Sequence, residues 1–354
     1  NSPGKILYLG LANGENYGWG ICSRYLKKEL SRKISIKSLE NIDNKNGKVD
    51  GDLFHALTGV DFESITKLRG TRNFAYTFFE NELTEKSIAN ANKYEIIFGG
   101  STWCKEKMES AGIKNTGLLI QGVDPELFYP EEYNRRDNLF VIFSGGKFEF
   151  RKGQDLVIKA FEILQKKYDD IILINAWHNF WAQSISTMSY SQHIKFDMNG
   201  KTWHEFISHN LSLNNIDLRR VFILPNTPNE KMRELYLKTD IGLFPNRCEG
   251  GTNLVLMEYM ACGKPVVASY NSGHKDILTE SNSIRLNEMK KIHLQNNDKL
   301  FADWEEPLLD EIISKIEFAY NNREKLKSIG RQAASDMKKF TWEKTAVNLL
   351  SQIY

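Results

Sequence analysis

The run Ile241-Gly-Leu-Phe-Pro-Asn-Arg-Cys-Glu-Gly-Gly-Thr-Asn-Leu-Val-Leu-Met-Glu-Tyr-Met-Ala-Cys-Gly-Lys-Pro-Val-Val-Ala-Ser269 reads as strand, loop, helix and strand in direct succession. Ile241–Phe244 is short and apolar, as a buried strand should be. Gly250 and Gly251 make a loop, and Thr252 or Asn253 stands where an N-cap belongs for a helix over Leu254–Cys262. Gly263 and Pro265 stop that helix, and Pro265–Ser269 is the next strand. A helix N-terminus behind a Gly-Gly turn offers free N–H groups and a positive dipole end, which suits a diphosphate. Gly250, Gly251, Thr252, Asn253 and Leu254 are then the residues nearest such an anion. Glu249 sits in the loop and Glu258 in the second turn of the helix. Two acids cannot both lie against phosphate without repulsion, whereas each can accept hydrogen bonds from the hydroxyls of a ribose or a sugar on either side of it.

Outward from this run, the same alternation covers the chain. The N-terminal half opens with Lys5–Leu9, a glycine-rich loop and a helical pattern from Ile21. Apolar runs follow at Ile34–Leu39, Gly51–Ala56, Asn73–Phe79, Tyr94–Gly99 and Gly117–Ile120. A second series starts at Phe140–Ser144 with a helix over Asp155–Lys167, then Ile171–Asn175, Val221–Leu224, Ile241–Phe244 and Pro265–Ser269. Alternating β and α elements predict an α/β chain of two Rossmann-like domains, each with a parallel sheet covered on both faces. A polar, proline-containing segment near Pro130–Asn138 is the expected linker. The division expected is therefore 1–133, the acceptor side, and 134–338, the donor side. Residues 339–354 carry Ala346, Leu349, Leu350 and Ile353 at three-and-four spacing, an amphipathic terminal helix expected to pack back on the first domain. Asn179–Arg219 is polar and dotted with aromatics, and reads as an excursion over the second domain.

Composition narrows the partners. At 354 residues the chain is long enough for two domains. Lys+Arg 47 against Asp+Glu 45 gives a net charge of +2, with no electrostatic footprint for nucleic acid. Cys22, Cys104, Cys248 and Cys262 lie far apart without metal-ligand spacing, and are expected as buried thiols in a reducing compartment. No apolar stretch approaches a membrane span of roughly 20 residues, and the start NSPGKILYLG lacks a signal-peptide pattern. A cytoplasmic chain is the expectation.

The Glu249–Glu258 segment resembles the glutamate-pair motif of family 4 retaining glycosyltransferases, which share the two-Rossmann GT-B fold, and the match continues through MEYMACGKPVVAS. The resemblance implies that the first glutamate contacts the transferred sugar and the second the nucleotide ribose. The spacing here is one position longer than the family's usual one, so that Gly250 stands where the shorter spacing would put the acid. Glu249 is taken as the equivalent, since a Gly-Gly loop absorbs one residue without moving the helix. Ser144-Gly-Gly-Lys-Phe-Glu-Phe-Arg-Lys-Gly-Gln-Asp155 adds Gly146, Lys147 and Lys152 at the mouth of the same sheet. The resemblance makes the two lysines the basic pair that grips the leaving diphosphate, with Lys147 where arginine is common. Gly14-Glu-Asn-Tyr-Gly-Trp-Gly20 is not a strict dinucleotide fingerprint. By resemblance, its Gly18 and Gly20 face the cleft near donor phosphate and acceptor.

Further candidates come from strand ends. Glu80, after Tyr76-Thr-Phe-Phe, stands where many relatives carry a histidine; it could orient a hydroxyl or cap the next helix. His55 follows Asp52-Leu-Phe and is a candidate for the acceptor side of the cleft, against an ordinary buried histidine. His178 after INAW is similar, Leu224-Pro-Asn-Thr227 could meet a nucleobase, and Asp124 reads as a turn residue. The implied function is transfer of a sugar from a nucleotide-sugar donor, bound by the second domain, to a glycan, lipid-linked or other hydroxyl acceptor with retention, in cell-surface polysaccharide or glycoconjugate synthesis. No Asp-x-Asp metal clamp is apparent, so no cofactor and no obligatory metal are expected. An epimerase or phosphorylase on the same scaffold, and a non-catalytic nucleotide-sugar-binding protein, stand as alternatives. Arg24, Lys27, Lys28, Arg32 and Lys33 give Ile21–Lys33 a basic face that could touch anionic lipid at the inner face of a membrane, against a simply solvated helix.

Overall fold

The computed structural model describes residues 6–14, 17–39 and 46–354. Lys5 of the expected first strand, and Glu15 and Asn16 of the glycine loop, lie outside the described residues. Short runs of strand-forming residues buried on both faces make two open parallel sheets. The main path of the first places Ser35–Ser38, Ile6–Gly10, Asp52–Thr58, Asn73–Thr77, Ile96–Gly99 and Thr116–Leu118 side by side. The second places Val221–Ile223, Ile171–Ala176, Phe140–Gly145, Ile241–Phe244, Val266–Ser269 and Ile284–Leu286. Numbered within each sheet, these orders are 2-1-3-4-5-6 and 3-2-1-4-5-6. Both are doubly wound, and a crevice opens beyond the carboxyl ends of the strands where the order reverses. In the second sheet that point lies between Phe140–Gly145 and Ile241–Phe244, the strands that lead into the lysine loop and the Glu249 loop.

The terminal helix, Trp342–Ile353, returns to the first sheet. Trp342, Ala346, Leu349 and Ile353 share one core cluster with Leu7, Leu26, Phe54 and Tyr76. Trp342 stacks on Tyr25 with ring centroids 5.4 Å apart.

Two regions are more ordered than the sequence reading expects. Within Asn179–Arg219, helix Trp203–Leu213 is closed by a Thr202/Glu205 capping box and buries Phe206, Ile207 and Leu211 in the second core. After Ile284–Leu286 comes an unexpected antiparallel hairpin, Met289–Asn296 with Lys299–Pro307. Its turn residues Asn297 and Asp298 have φ of 48° and 60°, the left-handed pair that a two-residue hairpin turn demands. The hairpin touches the first half: Trp304 Nε1 donates to Glu80 O at 2.7 Å, and Glu82 N to Phe301 O at 2.8 Å. The four cysteines are buried free thiols. Among the described residues no helix is long and apolar enough to cross a membrane.

Candidate active site

Between the carboxyl edges of the two sheets lies a cavity of about 400 Å³. The second half contributes Lys147, Lys152, Glu249 and Glu258 to its wall, and the first half contributes Gly18 and Glu80. Gly146, Gly251, Asn253 and Leu254, four more of the expected donor-side residues, line it as well.

Glu249 is 4% exposed and fully engaged. Lys152 Nζ and Asn246 Nδ2 each reach its Oε1 at 2.6 Å, and Arg151 Nη1 lies 3.4 Å from Oε2. Burial alone would raise its carboxyl, but Lys152 and Arg151 outweigh burial and hold it down at about 2. Glu258, 5% exposed, has no ion-pair partner among the described residues, and the charge of Arg24 is a lesser pull on it. Burial pushes it up to about 8 against the pull of a 2.9 Å hydrogen bond from Asn229 Nδ2. One glutamate is thus a fixed anion, the other a carboxyl that titrates near neutrality.

The loop between them is built from below. Asn253, with φ of 65°, caps helix Leu254–Ala261 by accepting from Leu256 N at 3.3 Å. His274 is fully buried, and burial lowers its imidazole to about 4, so it is neutral. Its Nδ1 lies 2.9 Å from Ser269 O and its Nε2 3.1 Å from Asn253 Nδ2. A neutral ring that donates to the carbonyl accepts the Asn253 amide proton, which fixes the cap amide in the orientation its own role requires.

Several expected residues fall elsewhere. His55 does not line the cavity: its strand runs on to Thr58, so the ring sits inside the first half, fully buried between Ser64 Oγ at 2.7 Å and Asn73 Oδ1 at 2.9 Å. Gly20 is also away from the cavity wall, since a Cβ there would meet Gly14 O at 2.1 Å; its smallness serves backbone packing. Gly250 faces the first half instead of the cavity, with its carbonyl accepting from Ser101 Oγ at 2.8 Å. A Cβ on it would lie 2.5 Å from Phe79 O. Thr252 is fully buried, its hydroxyl on Met257 Sδ at 3.0 Å, and it too is absent from the wall. Glu80 does not cap a helix, because Thr84 caps the next one. Its Oε1 instead accepts from Gly250 N at 3.3 Å and lies 3.4 Å from Arg151 Nη1. His178, Pro225, Asn226 and Thr227 do line the cavity, while Asp124 forms a turn by accepting from Glu126 N at 2.9 Å.

Two residues escaped the sequence reading. Arg151 lies between carboxylates from both halves, Glu80, Glu149 and Glu249, and also donates to Cys248 O at 2.9 Å. Its signal was a third cation beside Lys152. Asn229 is buried in the cavity wall with its Oδ1 unbonded among the described residues, and nothing in its local sequence marks it.

Residues 126–336 match the family Glycosyl transferases group 1. An uncharacterized glycosyltransferase of Methanocaldococcus jannaschii is 26% identical over 263 residues, a match that spans 74% of this chain and 59% of the relative. In fold the chain is similar to a sucrose-phosphate synthase from Thermosynechococcus elongatus, with a TM-score of 0.69 at 14% identity over 99% of this chain and 98% of that one. It is also similar to HepE of Anabaena, solved with UDP and glucose, with a TM-score of 0.64 at 15% identity over 99% of each chain. The chain belongs to the group 1 glycosyl transferases and has the GT-B fold.

Proposed function

We propose that the chain transfers a sugar from a nucleotide-sugar donor to a hydroxyl acceptor with retention of configuration. The observation that carries this reading is the meeting of Lys147, Lys152, Glu249 and Glu258 in one cavity at the reversal point of the second sheet. Lys147 and Lys152 stabilise charge on the departing nucleoside diphosphate, helped by the N-terminal end of helix Leu254–Ala261. Glu258 accepts from ribose hydroxyls, and Glu249 holds the hydroxyls of the transferred sugar. The bond from the sugar's anomeric carbon to the phosphate oxygen breaks with its electron pair leaving on the diphosphate. The acceptor oxygen bonds to the same face, and its proton passes to the departing phosphate oxygen. Glu249 and Glu80 are each already engaged by cations or N–H groups, which favours this route over a covalent glycosyl-enzyme.

The test is a thermal-shift screen of UDP-, GDP-, dTDP- and CMP-sugars, with UDP-glucose first because HepE of Anabaena was solved with UDP and glucose. With the donor found, Lys152→Ala and Glu258→Ala should each lower transfer about 100-fold or more while the fold survives. Wild-type turnover in either variant would end the proposal. Because Lys147 and Lys152 supply positive charge at the cavity wall, transfer is expected to persist in EDTA. We read the basic helix as a solvated surface helix: Arg32 pairs with Glu29 at 3.0 Å and Lys33 with Glu343 at 3.2 Å. Flotation of the chain with anionic liposomes would reverse that part.

A further inference from the structure

Beyond strand Ile171–Ala176 the chain runs Trp177-His178-Asn179-Phe180-Trp181 along the mouth of the cavity. Its base is pinned. Trp177 is fully buried with Nε1 donating to Ser144 Oγ at 2.8 Å. Asn179, 4% exposed, donates to Phe148 O at 3.1 Å and Ser184 Oγ at 2.7 Å, and its Oδ1 accepts from Trp181 N at 3.0 Å. Ser184 Oγ in turn donates to Glu149 Oε2 at 2.8 Å. On this rigid base Phe180 and Trp181 stand 61% and 45% exposed, and both line the cavity. From the first half, Tyr17 meets Trp181 edge-on with centroids 6.0 Å apart.

Large rings left open on a rigid base point to a ligand that covers them. The polar atoms among the rings say what kind. Lys147 Nζ lies 5.0 Å from the centre of the Trp181 ring. His178, whose ring centre is 4.5 Å from that of Phe180, has its Nδ1 buried without a hydrogen-bond partner among the described residues. An alkyl chain laid here would cover the Lys147 ammonium and answer none of its N–H donors, which is costly. A pyranose offers a C–H face to the rings and hydroxyls at its rim to that ammonium. Lys147 also joins the platform to the cavity that holds Lys152, Glu249 and Glu258, so a ring stacked on Trp181 lies beside the proposed site of transfer.

We propose that Phe180, Trp181 and Tyr17 form the acceptor subsite, and that the acceptor it takes is a saccharide. This rests on the glycosyltransferase reading given above. The experiment probes an array of immobilised oligosaccharides with the chain saturated with UDP, or with whichever nucleoside diphosphate raises its Tm. Wild-type protein should bind a subset of the array. The double variant Phe180→Ala/Trp181→Ala should bind it about tenfold more weakly, with an unchanged nucleotide-induced Tm shift showing that fold and donor site are intact. Trp181→Phe, which keeps a ring, should retain most of the binding. Equal binding by the double variant overturns the proposal. So does a wild-type chain that responds to nucleotide and binds no glycan, or one captured by phosphatidylglycerol vesicles through these same rings. If no nucleoside diphosphate shifts the Tm, the glycosyltransferase reading falls first, and the acceptor site with it.

Discussion

Glu249 and Glu258 are both buried, yet their surroundings drive them apart, and this gives the site a pH dependence that can be measured without substrate. Burial lifts Glu258 from an ordinary 4.5 to about 8, so the folded chain keeps a proton that the unfolded chain has lost. The stability attached to the neutral carboxyl is complete below about pH 4.5 and is lost as pH rises through about 8. Glu258→Gln is neutral throughout, so calorimetry on free protein should find its Tm gaining on wild type between about pH 5 and pH 8. A constant difference across that range would show that Glu258 is ionised from the start. Glu249 behaves in the opposite sense: held at about 2, it contributes stability above its ordinary range that is lost only as pH falls through about 2. Its response therefore has to be read by mutation, and Lys152→Ala, which strips its nearest cation, should cost on the order of 2 kcal/mol in denaturant unfolding, with Arg151 sharing the load. Arg151→Lys keeps a charge and loses the fork that reaches Glu149 and Cys248 O together. With donor affinity retained, turnover should fall about tenfold or more, because the lost geometry positions Glu249 without binding nucleotide. A donor Kd that moves by the same factor would instead make Arg151 a direct donor contact.

Helix Leu254–Ala261 shows how far reading by pattern reaches. Its start and its stop were legible in Gly250-Gly251-Thr252-Asn253 and Gly263, because capping and termination are local chemistry. Which loop residues face the ligand was not. Gly250 and Gly251 are identical as letters, and only the approach of Phe79 from the other half turns Gly250 away from the cavity. His55 was misplaced for a related reason: its strand extends beyond the point that the apolar run suggested, and a position one strand-end earlier is inside the sheet. Asn229 acts through Glu258, distant in sequence, so neither local spacing nor residue type identifies it, and Arg151 shows locally only as a third cation, since Glu80 and Glu249 lie far along the chain. The Met289–Pro307 hairpin did carry a signal, Asn297-Asp298 between runs that alternate apolar and charged residues, which its many exposed lysines and acids obscured. At Asn253 local chemistry and positive φ coincide, and they can be separated. Asn253→Gly loses the cap but accepts the backbone, whereas Asn253→Ala loses the cap and pays for φ of 65° as well. Ala should therefore cost about 2 kcal/mol and Gly about 1 or less in equilibrium unfolding. Equal losses would show that backbone conformation adds nothing there.

The two halves are joined by contacts that converge on the Glu249 loop. Ser101 Oγ donates to Gly250 O, and Thr102 N, at the start of helix Thr102–Ser110, donates to Asp276 Oδ2 at 2.8 Å. A carboxylate from the second half thus caps a helix of the first, where the helix dipole favours it. Trp304 of the hairpin holds Glu80 O, and Glu80 reaches Arg151. Helix Trp342–Ile353 packs in the first core, so the halves are linked by two chain crossings, and any opening of the cleft between them turns about both. Removing two of the crossing bonds should then open the cleft without unfolding either half. Asp276→Ala with Trp304→Phe deletes a charge-assisted bond and one neutral bond while keeping an aromatic ring at 304, a loss of about 2 kcal/mol in the closed state. That shifts an open–closed balance roughly 30-fold. Small-angle X-ray scattering should show a larger radius of gyration for the free variant, returning to the wild-type value with saturating donor. Since only the closed fraction assembles Glu80 against the Glu249 loop, the donor KM should rise while kcat at saturation stays close to wild type. A variant with unchanged dimensions and unchanged KM would mean that the cleft is held by its packed hairpin and that these hydrogen bonds do not set its closure.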